Sequence, residues 1–428
     1  MTGTLLLALV TFGAWSEAKT TLAHLAAKVT QWCPQVDVSP EAIQQRMHKK
    51  AMAFLQDMIQ QTLAKLQALD PVCDEGLLPA FTKVYITDST GCALPEELHT
   101  TFPGAGGSAA QAGAKMQAVW DYKSSLFGHC ALTPWNVPDQ RSVDQVVAVA
   151  QQGILVLFDC GYLKIKALAR MATAGAYCCC RLNQQTNIDE TGAGRVCPVK
   201  LAEVLTAIEG DLLRREQAIS IGTTARVAAR LIAVRMPEAI VKARRRIARK
   251  NARKKGYTPS QAHLTVMAWN LFLTNVPPTI GKTATIPKVY PLRWQIERIF
   301  QSWKSSLPFA SLTTKKQDST LCYLYGRMLL ILFHYALCPQ MRATLWLKHK
   351  RELSLLKLVR HFQALAAGWM QGIFQSELEL YHFLQRACAT AERLAAKASR
   401  KRRTTAQILQ DDLRQPLESV AFAAAVNP

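Results

Sequence analysis

The sequence predicts a mixed α/β protein: a sheet core that a long insert interrupts, with helical regions at both ends of the chain. Three observations support this class. Strand-like runs alternate with helix-like segments in the first half, a strand-rich and basic segment follows, and helical periodicity returns toward the C-terminus. The 428 residues, of which 49% are hydrophobic, suffice for two or three structural units.

Residues 1 to about 75 are predicted to be helical. The segment beginning at Ser39 has that residue as an N-cap candidate, Pro40 in the first turn and Glu41 close behind, and apolar residues then recur at helical spacing. The apolar N-terminus carries no cation before Lys19, so it lacks the positive start of a signal peptide. We therefore expect it to form a buried first helix.

The core elements follow in the order strand, hairpin, helix, strand, helix, strand. The first strand, Lys83–Asp88, alternates in polarity, whereas Gly153–Asp159 is a continuous apolar run, typical of a strand buried on both faces. The other predicted elements are a hairpin from Ala114 to Thr133, a helix from Ser142 to Gln152, a helix from Tyr162 to Gly175 and a strand from Ala176 to Leu182.

The second half of the chain is predicted to be strand-rich at first and helical later. Strands are expected between about 183 and 285, including one at Trp269–Asn275, and helices from about 286 to the end. The apolar run Leu321–Cys338 is interrupted by Arg327 and His334. It is also short for a membrane span, which favours a core helix.

The chain is strongly basic, with a net charge of +22 and a pI near 9.7. This charge predicts attraction to a polyanion, and no stretch is typical of a basic membrane-surface helix, which favours nucleic acid over a membrane. Between Arg226 and Lys255 there are twelve Lys or Arg residues and one acid, Glu238. We interpret this stretch as a surface that follows DNA phosphates, although a merely solvated face is the alternative. Its DNA-binding candidates are Arg244, Arg245, Arg246, Arg249 and Lys250.

The cysteine pattern indicates reduced thiols. Twelve cysteines are spread through the chain, three of them consecutive from Cys178 to Cys180, and no CxxC pair occurs. This distribution is not typical of a disulfide scaffold or of a structural zinc site. We expect the cysteines to act as small hydrophobic side chains in a cytoplasmic protein.

Two predicted strands end in an acid, Asp88 and Asp159, and turn residues follow each. Side chains at the ends of neighbouring strands point into one space at the rim of a sheet. Two carboxylates placed so close repel each other unless a cation neutralises them, and oxygen ligands of this kind suit Mg²⁺. Taken alone, each Asp is also typical of a turn.

The stretch YPLRWQIERIFQSWK, residues 290–304, places a lone acid among cations on a predicted helix. At about 100° per residue, Tyr290, Arg293, Glu297 and Lys304 share a face about 60° wide. An apolar stripe adjoins it, formed by Leu292, Ile296, Ile299, Phe300, Trp303 and Leu307. We predict that the stripe packs on the sheet, that Glu297 joins the Asp pair and that the cations hold phosphate. An exposed ion pair between Arg293 and Glu297 is the alternative.

These residues resemble the Y-R-E-K signature of DDE transposases of insertion-sequence family four. Tyr290-x2-Arg293-x3-Glu297-x6-Lys304 matches it in residue type and spacing. The ITDST and LFDCGY segments resemble those that carry the family's two aspartates, and FLTNVP resembles the strand ahead of the signature. The resemblance covers roughly residues 35 to 345.

The resemblance implies a ribonuclease-H-like core with a β-rich insert. It also implies a transposase that cleaves DNA at the element's ends and transfers the strands into a target, often through a hairpin intermediate. Asp88, Asp159 and Glu297 would be catalytic residues and ligands of two Mg²⁺ ions, for which Mn²⁺ substitutes. Tyr290, Arg293 and Lys304 would contact the DNA phosphates near the scissile bond. Trp294 and Trp269 are candidates for stacking on a displaced base.

The implied partners are double-stranded terminal inverted repeats and target DNA, bound by a dimer on paired ends, with no membrane. The implied location is the bacterial cytoplasm, at the nucleoid. The predicted domains are a helical DNA-binding region (1–75), the first part of the catalytic core (76–182), the insert (183–285), the second part of the core with the Glu helix (286–345) and a helical C-terminal region (346–428).

Two other interpretations stay open from the sequence. A catalytically silent DNA-binding protein derived from such an enzyme would keep the basic surface, although an intact acid triad argues against it. A ribonuclease-H-like nuclease acting on RNA/DNA hybrids would keep the acids but would not need Tyr290, Arg293 and Lys304 in register.

Overall fold

The computed structural model describes residues 2–14, 21–69, 78–106, 110–182, 186, 188–192, 195–206, 214–306 and 314–398. The sequence has a second basic cluster at Arg400–Arg403. This cluster and the predicted boundary at residue 75 lie outside the described residues. The chain forms two compact units. The first comprises residues 1–73, 83–176 and 293–398, and the second comprises 74–82, 177–292 and 399–428.

The described residues at the start of the first unit form helices, as predicted. They are α1 (Gly3–Ala8), α2 (Leu22–Trp32), α3 (Pro40–Arg46) and α4 (Lys49–Ala68). The side chain of Ser39 accepts the N–H of Ala42 at 3.2 Å, and Pro40 occupies the first turn of α3, because its missing N–H is not needed there. A π-helical turn, Leu9–Gly13, continues α1 and is buried, so the apolar N-terminus forms a buried helix as expected.

The sheet of the first unit has the order β3-β2-β1-β4. The elements are β1 (Val84–Leu94), β2 (Ala112–Asp121), β3 (Phe127–Pro134), α5 (Val143–Val149), β4 (Leu155–Phe158) and α6 (Ile165–Thr173). The first three strands form an antiparallel meander, and β4 returns parallel to β1 through the α5 crossover. This is the predicted order of strands and helices.

One boundary differs from the prediction, because β1 does not end at Asp88. The strand continues to Leu94, and Asp88 pairs with Ala118 in the middle of the ladder with β2. The turn residues after Asp88 indicated an end to the strand. The long partner strand overrides that local preference, because β2 supplies backbone partners as far as Ala112.

The second unit is strand-rich, as predicted for the insert. Its elements are β5 (Tyr177–Arg181), β6 (Ile188–Gly192), β7 (Arg195–Val199), α7 (Leu201–Thr206), β8 (Arg214–Ile221), β9 (Val227–Arg235), α8 (Glu238–Lys254), α9 (Gln261–Val266), β10 (Trp269–Thr274) and α10 (Ile286–Val289). Its strands follow the order β5-β10-β9-β8-β6-β7, and each neighbouring pair is antiparallel. The basic stretch is divided between β9 and α8.

The chain then returns to the first unit as a series of helices. A 3₁₀ turn at Tyr290–Arg293 precedes α11, so the predicted single helix from Tyr290 begins later, at Trp294. Pro291 lies in that turn and has no N–H to donate to a preceding helical turn. The helices are α11 (Trp294–Ser306), α12 (Gln317–Ala336), α13 (Cys338–His349), α14 (Leu355–Ala364), α15 (Ala366–Gln375) and α16 (Glu377–Leu394).

Helix α12 is the central core helix of the first unit. It contacts α4 and the π-helical turn after α1, and Gly326 faces the backbone of Val10 so closely that a Cβ atom has no room there. Among the described helices, the stretch Gln317–His349 is long and apolar enough to cross a membrane, but most of it is buried inside the protein. This burial favours the predicted core helix.

Buried thiols form part of both cores. Cys178, Cys179 and Cys180 of β5 are buried, as are Cys130, Cys322 and Cys338. The predicted domain limits stay a prediction. The compact units divide instead between residues 176 and 177 and between 292 and 293, so β5 belongs to the second unit.

Candidate active site and basic surfaces

Asp88 lies on β1, and Asp159 directly follows the adjacent parallel strand β4 at the same level. Ile86 of β1 pairs with Leu157 of β4, and each aspartate follows its paired residue by two positions. Because side chains alternate along a strand, both carboxylates belong to the same face of the sheet. The ladder between β1 and β4 stops just before them, as β4 ends at Phe158.

Negative charge is concentrated around Asp88. The pKa of Asp88 is raised to about 6, mainly by burial; the nearby carboxylates Asp159 and Glu297 also raise it, whereas the N–H of Ser89 and the Arg293 guanidinium lower it. Ser89 donates that N–H to Asp88 Oδ1 at 2.8 Å. Asp88 is ionised at neutral pH, so this crowded place attracts cations.

Asp159 is fixed by the turn that follows it. Its Oδ1 accepts the N–H of Gly161 at 2.7 Å and caps the 3₁₀ turn Cys160–Tyr162. A Cβ atom on Gly161 would lie 3.0 Å from that oxygen, so glycine permits the close approach. The predicted turn after Asp159 is therefore present, and it orients the carboxylate.

Helix α11 brings Glu297 close to Asp88. The helix contacts β1, and its predicted apolar stripe is buried at Ile296, Ile299, Phe300 and Trp303. Leu292 is also buried, and Leu307 lies outside the described residues. Glu297 lies on a different face of the helix with 31% of its side chain exposed.

Arg293 bridges two of the three acids. Its two terminal nitrogens donate to Asp88 Oδ2 at 2.8 Å and to Glu297 Oε1 at 2.6 Å, and 8% of its side chain is exposed. The sequence placed Arg293 on a DNA phosphate. In the structure its guanidinium holds carboxylates, because the acids of β1 and α11 are its nearest opposite charges. No three His, Cys, Asp or Glu side chains are grouped to hold an ion among the described residues.

A polar network beside Asp88 was missed by the sequence analysis. Asp139 Oδ1 accepts bonds from Ser89 Oγ at 3.0 Å, Lys115 Nζ at 2.7 Å and Gln117 Nε2 at 2.9 Å. Tyr162 donates its hydroxyl to Gln117 Oε1 at 2.5 Å. This network fixes the residue next to Asp88 and the turn after Asp159. The sequence signal was weak, because Asp139 follows Pro138 in an ordinary turn motif.

The remaining signature residues have different surroundings. Tyr290 belongs to the second unit and is buried, with its ring 5.4 Å from that of Phe272 and the Arg181 guanidinium 5.9 Å from its centre. Lys304 is exposed on α11 and close enough to Cys92, further along β1, to influence its thiol. The structure thus places the signature Tyr in one unit and the Arg, Glu and Lys in the other.

The two tryptophan candidates differ in exposure. Trp294 is 55% exposed, with the Arg293 guanidinium 5.1 Å from its ring, so its surface is open to a stacking partner. Trp269 is only 5% exposed and lies under the Arg235 guanidinium at 5.7 Å. Stacking on a displaced base, as the sequence predicted, would require Trp269 to be uncovered first.

The basic helix α8 divides into bonded and exposed cations. Arg244 donates to Asn270 Oδ1 at 2.8 Å, and Arg245 donates to the Leu264 carbonyl at 3.0 Å. Arg246, Arg249 and Lys250 are exposed. The cations predicted to follow DNA phosphates therefore include three that face solvent and two that hold the helix to its own unit.

A meander followed by a parallel strand, with two acids at one level and a third on a nearby helix, is the arrangement that the sequence predicted for a nucleic-acid enzyme of the DDE class. Comparison with known proteins agrees: the family described as transposase DDE domain matches residues 79–333, more than half of the chain. The chain belongs to this family. Its activity is that of a DNA transposase.

The relatives from Bacillus thuringiensis include the following two. The chain is 27% identical over 386 residues to the transposase for insertion sequence element IS231E, covering 86% of this chain and 80% of the relative. It is 28% identical over 385 residues to that of IS231B, with the same coverage.

The transposase for IS1151 of Clostridium perfringens is 25% identical over 405 residues, covering 90% of this chain and 84% of the relative. A solved structure of piggyBac transposase in a synaptic complex with hairpin DNA aligns with 90% of this chain and 74% of its own, at 11% identity and a TM-score of 0.44.

Proposed function

We propose that this transposase cleaves DNA at the ends of its element and joins them to target DNA by cut-and-paste transposition, using Asp88, Asp159 and Glu297. The observation that carries this assignment is the shared level of the two aspartates on β1 and β4. The raised pKa of Asp88 supports it, because Asp159 and Glu297 both contribute to the shift. Asp159 and Glu297 thus both lie close enough to Asp88 to act on its charge, although the three come from distant parts of the sequence.

The residues at this place suit a divalent cation, which the family generally uses. Their carboxylate oxygens are hard ligands of the type that Mg²⁺ and Mn²⁺ prefer, and the crowded charge around Asp88 favours a cation. We assign two Mg²⁺ ions, replaceable by Mn²⁺, to Asp88, Asp159 and Glu297. A metal held by these residues would supply Lewis-acid stabilisation of the phosphate oxygens and would lower the pKa of an attacking water.

The protein's own cations position the DNA strand in this proposal. Arg293, which now donates one hydrogen bond to each of Asp88 and Glu297, would bind a DNA phosphate, because a guanidinium can hold a phosphate through two parallel hydrogen bonds. Lys304 contacts a second phosphate as a point charge. Trp294 offers an exposed ring for base stacking.

The partners in this proposal are the terminal inverted repeats and the target, both as double-stranded DNA. Cleavage of two ends in one event requires two copies of the site, so we propose a dimer on the paired ends. The protein acts in the bacterial cytoplasm at the nucleoid, since its substrate is chromosomal or plasmid DNA.

The test is incubation with duplex DNA carrying the ends of the element, with Mg²⁺ or Mn²⁺. D88N, D159N and E297Q should each reduce strand cleavage by at least about 100-fold, because each removes a carboxylate charge from the centre. Affinity for the same duplex in a metal-free buffer should stay within about threefold of that of the native protein.

The matched control is D144N. Asp144 is an acid of the same unit that pairs with Lys164 and Arg170 on the surface, so cleavage should stay close to the native rate. Normal cleavage by D88N, D159N or E297Q would contradict the assignment. Binding without any cleavage by the native protein would favour the silent DNA-binding alternative, and cleavage confined to RNA/DNA hybrids would favour the nuclease alternative.

A further inference from the structure

Asp139 is the central acceptor of the polar network beside the candidate site. It begins the 3₁₀ turn Asp139–Ser142, which precedes α5. Its Oδ1 accepts hydrogen bonds from Ser89 of β1 and from Lys115 and Gln117 of β2. Three donors on one oxygen, one of them an ammonium, hold the carboxylate in a single orientation. We call Asp139 and these three donors the Asp139 network.

Lys115 neutralises the charge of Asp139. Its Nζ lies 2.7 Å from Asp139 Oδ1 and also donates to the Val137 carbonyl at 2.6 Å. The Lys115 side chain is 11% exposed and that of Asp139 is 28% exposed. An ion pair shielded from water in this way is costly to break, because either charge alone would be left without compensation. Asp139 is therefore a fixed support and not a mobile surface acid.

The Asp139 network lies on the face of the sheet opposite Asp88. Side chains alternate along a strand, so Ser89 belongs to the face that Asp88 does not use. Gln117 pairs with Ser89 across the ladder between β1 and β2, and Lys115 is two residues away on β2, so both share the face of Ser89. Helix α11 approaches the other face, where it bonds to Asp88. Asp139 thus supports the site from behind.

Ser89 connects Asp139 to Asp88. Its hydroxyl donates to Asp139 Oδ1 at 3.0 Å, and its backbone N–H donates to Asp88 Oδ1 at 2.8 Å. One residue therefore bonds Asp139 through its side chain and Asp88 through its backbone. A movement of Ser89 would be passed directly to the Asp88 carboxylate.

Asp139 also adjoins the turn that orients Asp159. A Cβ atom on Gly161 would lie 3.0 Å from Asp159 Oδ1 and 3.8 Å from Asp139 Oδ2, so both carboxylates lie against the same glycine. The buried Tyr162 gives a second connection, because its hydroxyl donates to Gln117 Oε1 while Gln117 Nε2 donates to Asp139. Asp139 therefore contacts the supports of both aspartates.

We propose that Asp139 is a positioning residue that sets the spacing of the Asp88 and Asp159 carboxylates for a divalent cation. It acts on Asp88 through Ser89 and on Asp159 through the turn at Gly161, and it does not touch the cation. The proposal rests on the proposed function for the metal-binding role of the two aspartates. Replacing a residue that orients metal ligands typically costs about 10–100-fold in metal affinity or activity.

The test measures Mn²⁺ binding to the full chain by electron paramagnetic resonance, in which the signal of free Mn²⁺ is lost on binding. D139A should weaken binding by about tenfold or more. D139N should weaken it less, because the amide oxygen still accepts the hydroxyl of Ser89. In cleavage of duplexes that carry the element's ends, D139A should lower kcat and keep KM within about twofold of the native value, because the DNA surface is intact.

A second variant guards against misfolding. K115M/D139A removes both charges of the ion pair, so no uncompensated ammonium is left, and it should lose as much Mn²⁺ affinity as D139A while keeping a cooperative thermal transition. The matched control is D144A, because Asp144 is an acid on the adjoining α5 that pairs with surface cations. D144A should bind Mn²⁺ like the native protein. Equal losses in D144A and D139A, or native affinity in D139A, would overturn the proposal.

A double-mutant cycle tests the connection through Ser89. S89A should weaken Mn²⁺ binding by itself, and S89A/D139A should bind like D139A, because both changes remove the same hydrogen bond. Losses that multiply would overturn this connection. D88N separates the proposal from the proposed function. Native Mn²⁺ affinity in D88N would overturn the metal site and this inference with it, whereas a weakened D88N beside an unaffected D139A would overturn the inference alone.

Discussion

At the scale of single residues, Arg293 has the least expected surroundings. A helical wheel places it beside Glu297, but only the fold brings Asp88 to its other side. Its buried guanidinium partly offsets the repulsion among three carboxylates. Arg293 therefore holds the acids of β1 and α11 together and competes with any cation that they bind.

We predict that R293Q makes the protein depend on divalent metal for stability. Breaking a largely buried ion pair should lower the free energy of unfolding by about 3 kcal/mol, because the carboxylates lose their compensating charge. Millimolar Mg²⁺ should restore much of this loss. In thermal unfolding scans with and without Mg²⁺, the rise of the midpoint should be larger for R293Q than for the native protein.

The control for this prediction is R298Q, because Arg298 is an exposed arginine on the same helix. Its midpoint and its response to Mg²⁺ should match those of the native protein. An R293Q midpoint that does not respond to Mg²⁺ would show that Arg293 and a metal do not share the same acids.

At the scale of elements, α12 supports the first unit through a very close backbone contact. Gly326 meets the backbone of Val10, and a side chain there has no space to enter. The contact joins the apolar N-terminal segment to the main core helix. Glycine in the middle of a helix is unfavourable by itself, so its presence here reflects packing.

We predict that G326A destabilises the protein by about 1–3 kcal/mol, because the backbone of the π-helical turn must move to admit a methyl group. Urea unfolding followed by circular dichroism measures this change. G3A is the matched control: the new methyl would lie 3.6 Å from Phe54, an ordinary contact, so its stability should equal or exceed the native value. Equal stability of G326A and G3A would contradict the packing argument.

A second property of α12 is a buried neutral histidine. His334 is 2% exposed, and burial lowers its pKa to about 4, although its Nδ1 lies 2.6 Å from the Leu330 carbonyl. Below pH 6.5 the unfolded chain binds a proton at this residue and the folded protein does not. Stability should therefore fall as the pH drops from 6.5 to about 4.

We predict that His334 alone lowers the free energy of unfolding by about 3 kcal/mol as the pH falls from 6.5 to about 4. Urea titrations at pH 7, 6, 5 and 4.5 should show a shallower pH dependence for H334Q than for the native protein. H382Q, at an exposed position, should follow the native curve. Parallel curves for H334Q and the native protein would mean that His334 is protonated in the folded state.

At the scale of the whole molecule, the net charge of +22 acts as an attraction to DNA that does not depend on sequence. The exposed cations of α8 are the best-defined part of this surface. They belong to the second unit, whereas the acids belong to the first. We therefore expect DNA binding and DNA cleavage to be separable by mutation.

We predict that R246Q/R249Q/K250Q weakens binding to specific and random duplexes alike. The slope of log affinity against log salt concentration should become shallower by about 0.9 for each lost phosphate contact, up to about 2.7 for three. Fluorescence anisotropy at several salt concentrations measures the slope. The control R360Q/R386Q/R393Q removes three exposed arginines from α14 and α16. This variant should leave the salt slope almost unchanged. Equal changes in both variants would show that α8 has no special role.

The sequence by itself determined the order of elements and the chemistry of the candidate site. Strand and helix periods are local properties, so the meander, β4, α6 and β10 could all be predicted, and the spacing of the signature selected Arg293, Glu297 and Lys304. The apolar stripe of α11 was predictable for the same reason. Short-range patterns also located the basic stretch, although not its division between β9 and α8.

Only the tertiary structure decided which groups meet. The length of β1 beyond Asp88 depends on β2, which local turn preferences do not include. The ion pairs of Arg293, the Asp139 network and the burial of Trp269 join residues far apart in sequence, and a single sequence carries no record of such distances. Charge and periodicity are local properties that the sequence shows directly, whereas contacts depend on how strands and helices pack.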